Sequence, residues 1–251
     1  KYENNNFKTI KEIQVSDVLI NNSYKHCSKN FIKSTKIAIR RVKNYQKKLL
    51  PKNILYKDKI GTKLGCLWKP LESCGLYIPG GKAIYPSSVF MNAVAAKLAG
   101  VKRIVLVSPA KEKKVRAEIL AAAKLSGVNK IFMIGGAQSI AALTYGTKTI
   151  QKVDKIFGPG NAFVAEAKKQ VFGDVGIDSI AGPSEIMVIA DKDSNPEWVA
   201  VDLLSQAEHD EDARPILVSD NLEFINSVNK HIQKHLKKLT RKKNCYFKFK
   251  K

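Results

Sequence analysis

Gln206 and His209 lie three residues apart in Ser205-Gln206-Ala207-Glu208-His209, at the end of a segment that reads as a helix. That spacing puts both side chains on one helical face, where an amide oxygen and an imidazole could meet a single ion. A helix-end histidine that merely partners the dipole would look the same. His231 and His235 stand four apart on another predicted helix, a spacing that also suits a metal. The sequence around them is lysine-rich and offers no carboxylate or cysteine to complete a site, so they read as a solvated face.

Three glycine turns could take an anion. Gly158-Pro159-Gly160-Asn161 falls between a predicted strand and a predicted helix, where free N–H groups and the positive end of the helix dipole favour negative charge. It also suits an ordinary turn with Asn161 as the helix cap. The dinucleotide fingerprint fails at its third glycine, where Phe163 stands, and Asp178 reads as following a helix rather than a second strand. Gly135-Gly136-Ala137-Gln138 and Tyr77-Ile78-Pro79-Gly80-Gly81 fall at what should be the same sheet edge. Three tight turns without a ligand remain the plainer alternative. Ser184, in Gly182-Pro183-Ser184-Glu185, has no G-x-S-x-G elbow and reads as a ligand hydrogen bond rather than a nucleophile.

The elements that must position these residues follow from periodicity and breakers. Strands are predicted at 75–78, 103–107, 130–134, 153–157, 185–190 and 215–218. Helices are predicted at 86–98, with Ser87 or Ser88 as cap and Gly100 as stop, and at 111–124, 137–143, 161–172, 196–207 and 222–239. Alternation at this spacing implies parallel βαβ units. Residues 30–49 read as a lysine-rich helix ended by Pro51, 173–184 as a domain boundary and 241–251 as a tail.

The chain has 251 residues, 44% apolar and 26% charged, enough for one or two ordinary domains. No segment offers the roughly 18 uninterrupted apolar residues of a membrane span. The net charge of +22 is uneven. Residues 1–70 hold 17 Lys or Arg against 4 Asp or Glu, residues 71–229 hold 17 against 18, and residues 230–251 hold 10 against none. With a neutral middle and no RNA-binding or zinc-finger pattern, nucleic acid is not the expected partner. Four cysteines without a C-x-x-C suit free thiols in a cytoplasmic setting.

Taken together, the blocks over about Lys63 to Leu239 resemble histidinol dehydrogenase. The strongest runs through Ile177-Asp178-Ser179-Ile180-Ala181-Gly182-Pro183-Ser184-Glu185, Asn195-Pro196-Glu197-Trp198-Val199-Ala200 and Asp202-Leu203-Leu204-Ser205-Gln206-Ala207-Glu208-His209. The resemblance implies two Rossmann-like parallel-sheet α/β domains, one inserted in the other as in aldehyde dehydrogenases. Residues 76–184 would be the inserted NAD-binding domain, and 30–75 with 185–240 the first domain, incomplete. It implies oxidation of L-histidinol to L-histidine by two NAD, with a zinc that positions the substrate. Tyr77, Gln138 and Asn161 fall where the family contacts NAD. Ser184 falls at the substrate, and Gln206 and His209 fall at two zinc ligands that also lie against it. The family's Glu-His catalytic pair and its other zinc ligands lie beyond the matched segment, so no catalytic residue is assigned and the 251 residues alone are expected to be inactive. A nucleotide-binding relative without turnover is the alternative. The family also implies a homodimer at full length.

Overall fold

The computed structural model describes residues 10–80, 84–180, 182, 184–209, 213–239 and 245. The chain divides into two compact units, Lys1–Ala181 and Gly182–Lys251. The division falls inside the boundary expected at 173–184.

The first unit opens with helices α1 (Asp17–Asn22) and α2 (Lys29–Lys48), whose first N–H groups are capped by Ser16 and Ser28. A hairpin of β1 (Ile54–Lys57) and β2 (Lys63–Cys66) follows. Then come β3 (Ser73–Tyr77), α3 (Pro86–Leu98), β4 (Arg103–Val107), α4 (Ala117–Ser126), β5 (Lys130–Phe132), α5 (Gly136–Tyr145), β6 (Lys155–Phe157), α6 (Ala162–Gln170) and β7 (Gly176–Ile177). These five strands form one parallel sheet in the order β5-β4-β3-β6-β7. The chain steps outward from β3 to β5, then crosses back to β6, so its winding reverses between β3 and β6.

Period-two burial explains why the sheet is covered on both faces. Cys74, Leu76, Ile104 and Leu106 share one core with Val89 and Ala93 of α3 and Ile119, Ala122 and Ala123 of α4. Tyr77, Val105 and Val107 share the other with Ile140 and Leu143 of α5 and Val164 of α6. Gly75 lets α5 close onto β3, since a Cβ there would lie 2.8 Å from a Leu143 methyl.

The second unit is βαβα, with β8 (Glu185–Ile189), α7 (Pro196–His209), β9 (Arg214–Val218) and α8 (Leu222–Leu236). Strands β8 and β9 pair in parallel. Phe224, Val228, Ile232 and Leu236, each four residues apart, bury an α8 stripe against Val199, Ala200, Leu203, Leu204 and Ala207 of α7. Cys245 is buried in the same cluster, so at this residue the expected tail is part of the core; residues 240–244 and 246–251 lie outside the described residues.

Several elements differ from the sequence reading. Ser87 and Ser88 lie inside α3, whose cap position is Tyr85; Pro86 occupies the first turn, where its missing N–H costs nothing. Helix α4 starts at Ala117 because Glu112 and Lys113 adopt left-handed φ values of 52° and 57°. The β1–β2 hairpin carried no sequence signal. Asp178 does follow a strand, the two-residue β7. Helix α2 packs against α3 and α4, within the first unit.

Candidate nucleotide edge and helix-end donor pair

The carboxyl ends of β3, β5 and β6 converge on Tyr77. This residue is buried, and its hydroxyl oxygen accepts the Gly136 N–H at 3.3 Å, tying the end of β3 to the turn after β5. Gly158 closes the other side. Its φ is +113°, and a Cβ would stand 2.1 Å from the Tyr77 carbonyl oxygen, so only glycine fits. Gly160 is similarly confined, a Cβ there falling 2.3 Å from Val164 Cγ1. The exposed Asn161 caps α6, its Oδ1 accepting the Val164 N–H at 3.1 Å. Gln138 is exposed at the start of α5, with its amide folded toward Gly136. Tyr77 and the Gly136 and Gly158 turns therefore meet at one edge, where the sheet winding reverses and where open parallel sheets bind ligands.

Two residues hold this edge: Lys168, which the sequence does not single out, and Asp178, which it sets aside as a fingerprint acid. Asp178 Oδ2 accepts the Gly158 N–H at 2.8 Å, while Lys168 Nζ donates to the Gly158 carbonyl at 3.2 Å. Lys168 also forms an ion pair with the other Asp178 oxygen. The Gly158 residue is thus gripped at both its N–H and its C=O. In a dinucleotide fingerprint the acidic residue after the second strand would face a ribose; here Asp178 is engaged by its own loop. The ten-residue spacing of Lys168 and Asp178 carries no motif, so only the fold brings them together.

In the second unit, Gln206 Nε2 lies 3.5 Å from the Ser184 carbonyl oxygen, at the long limit of a hydrogen bond. His209 is the last residue of α7 and is exposed, as is Ser184. Gln206 and His209 stand three residues apart at the C-terminal end of α7, where unsatisfied carbonyls favour a cation. Pro183 and residues 210–212 lie outside the described residues, as does Gly81 of the Tyr77 block.

The reading of His231 and His235 as lacking a carboxylate is corrected by the fold. Glu197, 38 residues before His235, places Oε1 2.8 Å from His235 Nε2 and 3.8 Å from His231 Nδ1. The hydrogen bond from His235, followed by the nearby Lys234 charge, holds the Glu197 carboxyl below its usual range.

Strand order, reversal point and glycine turns define a Rossmann-like α/β protein. Comparison with known proteins narrows the class: the family model described as Histidinol dehydrogenase matches residues 1–251, and the chain belongs to that family. A histidinol dehydrogenase of Rhizobium meliloti (strain 1021) is 55% identical over 206 residues, 82% of this chain and 48% of the relative. The crystal structure of histidinol dehydrogenase from Elizabethkingia anophelis matches with a TM-score of 0.91 at 35% identity, covering 99% of this chain and 57% of that one. An oxidoreductase from Marinobacter aquaeolei, at 12% identity and a TM-score of 0.55, shares the fold alone. The chain spans about half the length of the curated relatives it matches. Among the described residues no helix is long and apolar enough to cross a membrane.

Proposed function

We propose that the chain supplies the nucleotide-binding part, and half of the zinc donor set, of a cytoplasmic oxidoreductase that converts L-histidinol to L-histidine with two NAD. The observation that carries this reading is the Gly158 loop, gripped by Lys168 and Asp178 and pressed onto Tyr77, in a chain of this family. Its glycines leave no room for Cβ atoms, and although the Gly158 N–H is committed to Asp178, the loop leads into the N-terminus of α6, whose dipole suits the pyrophosphate of a dinucleotide. Tyr77 sets the height of the edge by holding Gly136, while Asn161 and Gln138 offer exposed amides at its rim.

At the end of α7, Gln206 and His209 fit a zinc by donor type but not by number, since zinc sites use three or four protein ligands. A zinc held there supplies a fixed point for the substrate's imidazole and amine. Ser184 and Gln206, joined at one contact, would line the substrate beside it. The reaction also needs a base, for which these residues offer none. In the complete protein, residues 76–184 would form the domain inserted between 30–75 and 185–240, and two copies would associate. The division at residue 182 supports only the boundary after the nucleotide-binding part, since 30–75 falls in the same unit as 76–181.

The test compares the 251-residue polypeptide with the same sequence continued by the corresponding remainder of a relative. With histidinol, NAD and zinc, the polypeptide alone should form no NADH, and the continued protein should. Losing general-base catalysis alone costs about 100- to 10,000-fold. In the continued protein His209→Ala should abolish turnover with NAD affinity intact, and Asn161→Ala should weaken NAD binding. Robust NADH formation by the 251 residues would overturn the assignment of roles.

A further inference from the structure

Glu197, in the first turn of α7, meets His231 and His235 in the C-terminal half of α8. We propose that these three side chains form a binding site for one divalent first-row transition ion, zinc in particular, separate from Gln206 and His209. The reading does not depend on the proposed oxidoreductase function.

Three observations carry it. First, one donor atom from each residue lies within 4.8 Å of the other two. In a tetrahedral zinc site, bonds of about 2.0–2.1 Å place neighbouring donors about 3.3 Å apart. The two observed separations, 2.8 Å from His235 Nε2 and 3.8 Å from His231 Nδ1 to Glu197 Oε1, bracket that value. A shift of about half an ångström in each opens the centre to an ion, well within side-chain adjustment.

Second, the imidazoles are already held. They alternate with the buried Val228, Ile232 and Leu236 on α8, their side chains are only 28% and 23% exposed, and their rings lie 21° from parallel with centroids 6.5 Å apart. His231 Nδ1 is buried and has no hydrogen-bond partner. A buried ring nitrogen without a partner is costly, and an ion at the centre of the cluster would satisfy it.

Third, the donor set selects the ion. Two imidazoles and one carboxylate suit zinc, copper or nickel rather than magnesium or calcium, which prefer oxygen. They leave a fourth position for water. Lys234 Nζ competes from 3.7 Å, but its side chain is 61% exposed and can swing into solvent. Glu197 and Gln206 are nine residues apart on α7, about 13 Å at 1.5 Å per residue, so one ion cannot serve both sites.

The experiment uses the metal-stripped 251-residue chain. Zinc is titrated calorimetrically, cobalt(II) is followed by its visible absorption, and thermal unfolding is recorded with and without zinc. The wild type should bind an ion with a tetrahedral cobalt spectrum and melt at higher temperature with zinc. Loss of even an outer-shell partner typically costs about 10- to 100-fold in metal affinity, so His231→Ala, His235→Ala and Glu197→Gln should each cost at least ~10-fold. His231→Gln, which keeps a polar group at the helix pair, should lose the cobalt spectrum while retaining the wild-type melting temperature without metal. A Gln206→Ala/His209→Ala double variant should keep this binding. The proposal is overturned if the wild type shows no zinc-dependent shift, if the histidine variants bind as tightly as wild type, or if only the Gln206/His209 variant loses the ion.

Discussion

Lys168 and Asp178 grip the Gly158 loop, but removing them one at a time should cost unequal amounts. Lys168→Met deletes a cation whose side chain is 3% exposed and leaves a carboxylate that is 28% exposed and still accepts the Gly158 N–H. Water can reach that carboxylate. Asp178→Asn keeps an acceptor for the N–H but leaves the cation sealed, with one carbonyl as partner. Breaking a buried pair from one side costs ~3–5 kcal/mol. Partial hydration puts Lys168→Met at or just below the lower bound, ~2–3 kcal/mol, and Asp178→Asn at the upper, ~4–5 kcal/mol. The double variant buries no charge and should cost less than Asp178→Asn alone, ~1–2 kcal/mol. Each unit holds one tryptophan, Trp68 in the first and Trp198 in the second, so urea unfolding followed by fluorescence in a Trp198→Phe background reports the first unit. Equal single costs, or a double variant whose cost is the sum of the singles, would refute the picture of a buried pair gripping the loop.

Two further perturbations separate causes that a single variant would mix. Gly158 and Gly173 have nearly the same φ, +113° and +112°, but a Cβ at Gly173 meets nothing within 4 Å. Gly173→Ala should therefore cost only backbone strain, ~1 kcal/mol, while Gly158→Ala adds a backbone collision for a total of ~2–5 kcal/mol, measured by the same unfolding curves. Burial pushes the Cys74 thiol up to about 11 from 9.0. Iodoacetamide at pH 8 should label the exposed Cys66 and spare Cys74, as read by peptide mass. A raised folded pKa of this kind stabilises fully below pH 9 and loses that contribution as pH climbs toward 11, so the first unit should unfold more easily across that window.

The main α/β pattern was readable because apolar runs and glycine breakers coincide. Pro86–Leu98 and Leu222–Leu236 begin where the sequence placed them, and Gly100 and Gly127 sit with positive φ just beyond α3 and α4. The β1–β2 hairpin escaped because all eight of its residues are exposed and it shows no alternation; it is fixed by Asp58, whose Oδ1 accepts the Ile60 and Thr62 N–H groups. Strand β7 has two residues, too few for any period. At the candidate site, the glycine turns and Tyr77 stood out because only special residues make such turns. Lys168 and Glu197 did not, because their partners are set by packing across 10 and 38 residues.

The β8–β9 pair turns Met187, Ile189, Ile216 and Val218 outward, with exposures between 39% and 78%. Parallel strands normally have both faces covered, and an open apolar row of this kind is an aggregation hazard. Opposing it is the surplus of lysine, with 10 basic and no acidic residues over 230–251. Like-charge repulsion keeps such molecules apart only over a Debye length, about 30 Å at 0.01 M salt and 8 Å at 0.15 M. Colloidal stability of the isolated 251 residues is therefore governed by ionic strength: dilute buffer keeps the copies dispersed, and moderate salt lets the uncovered strands find one another.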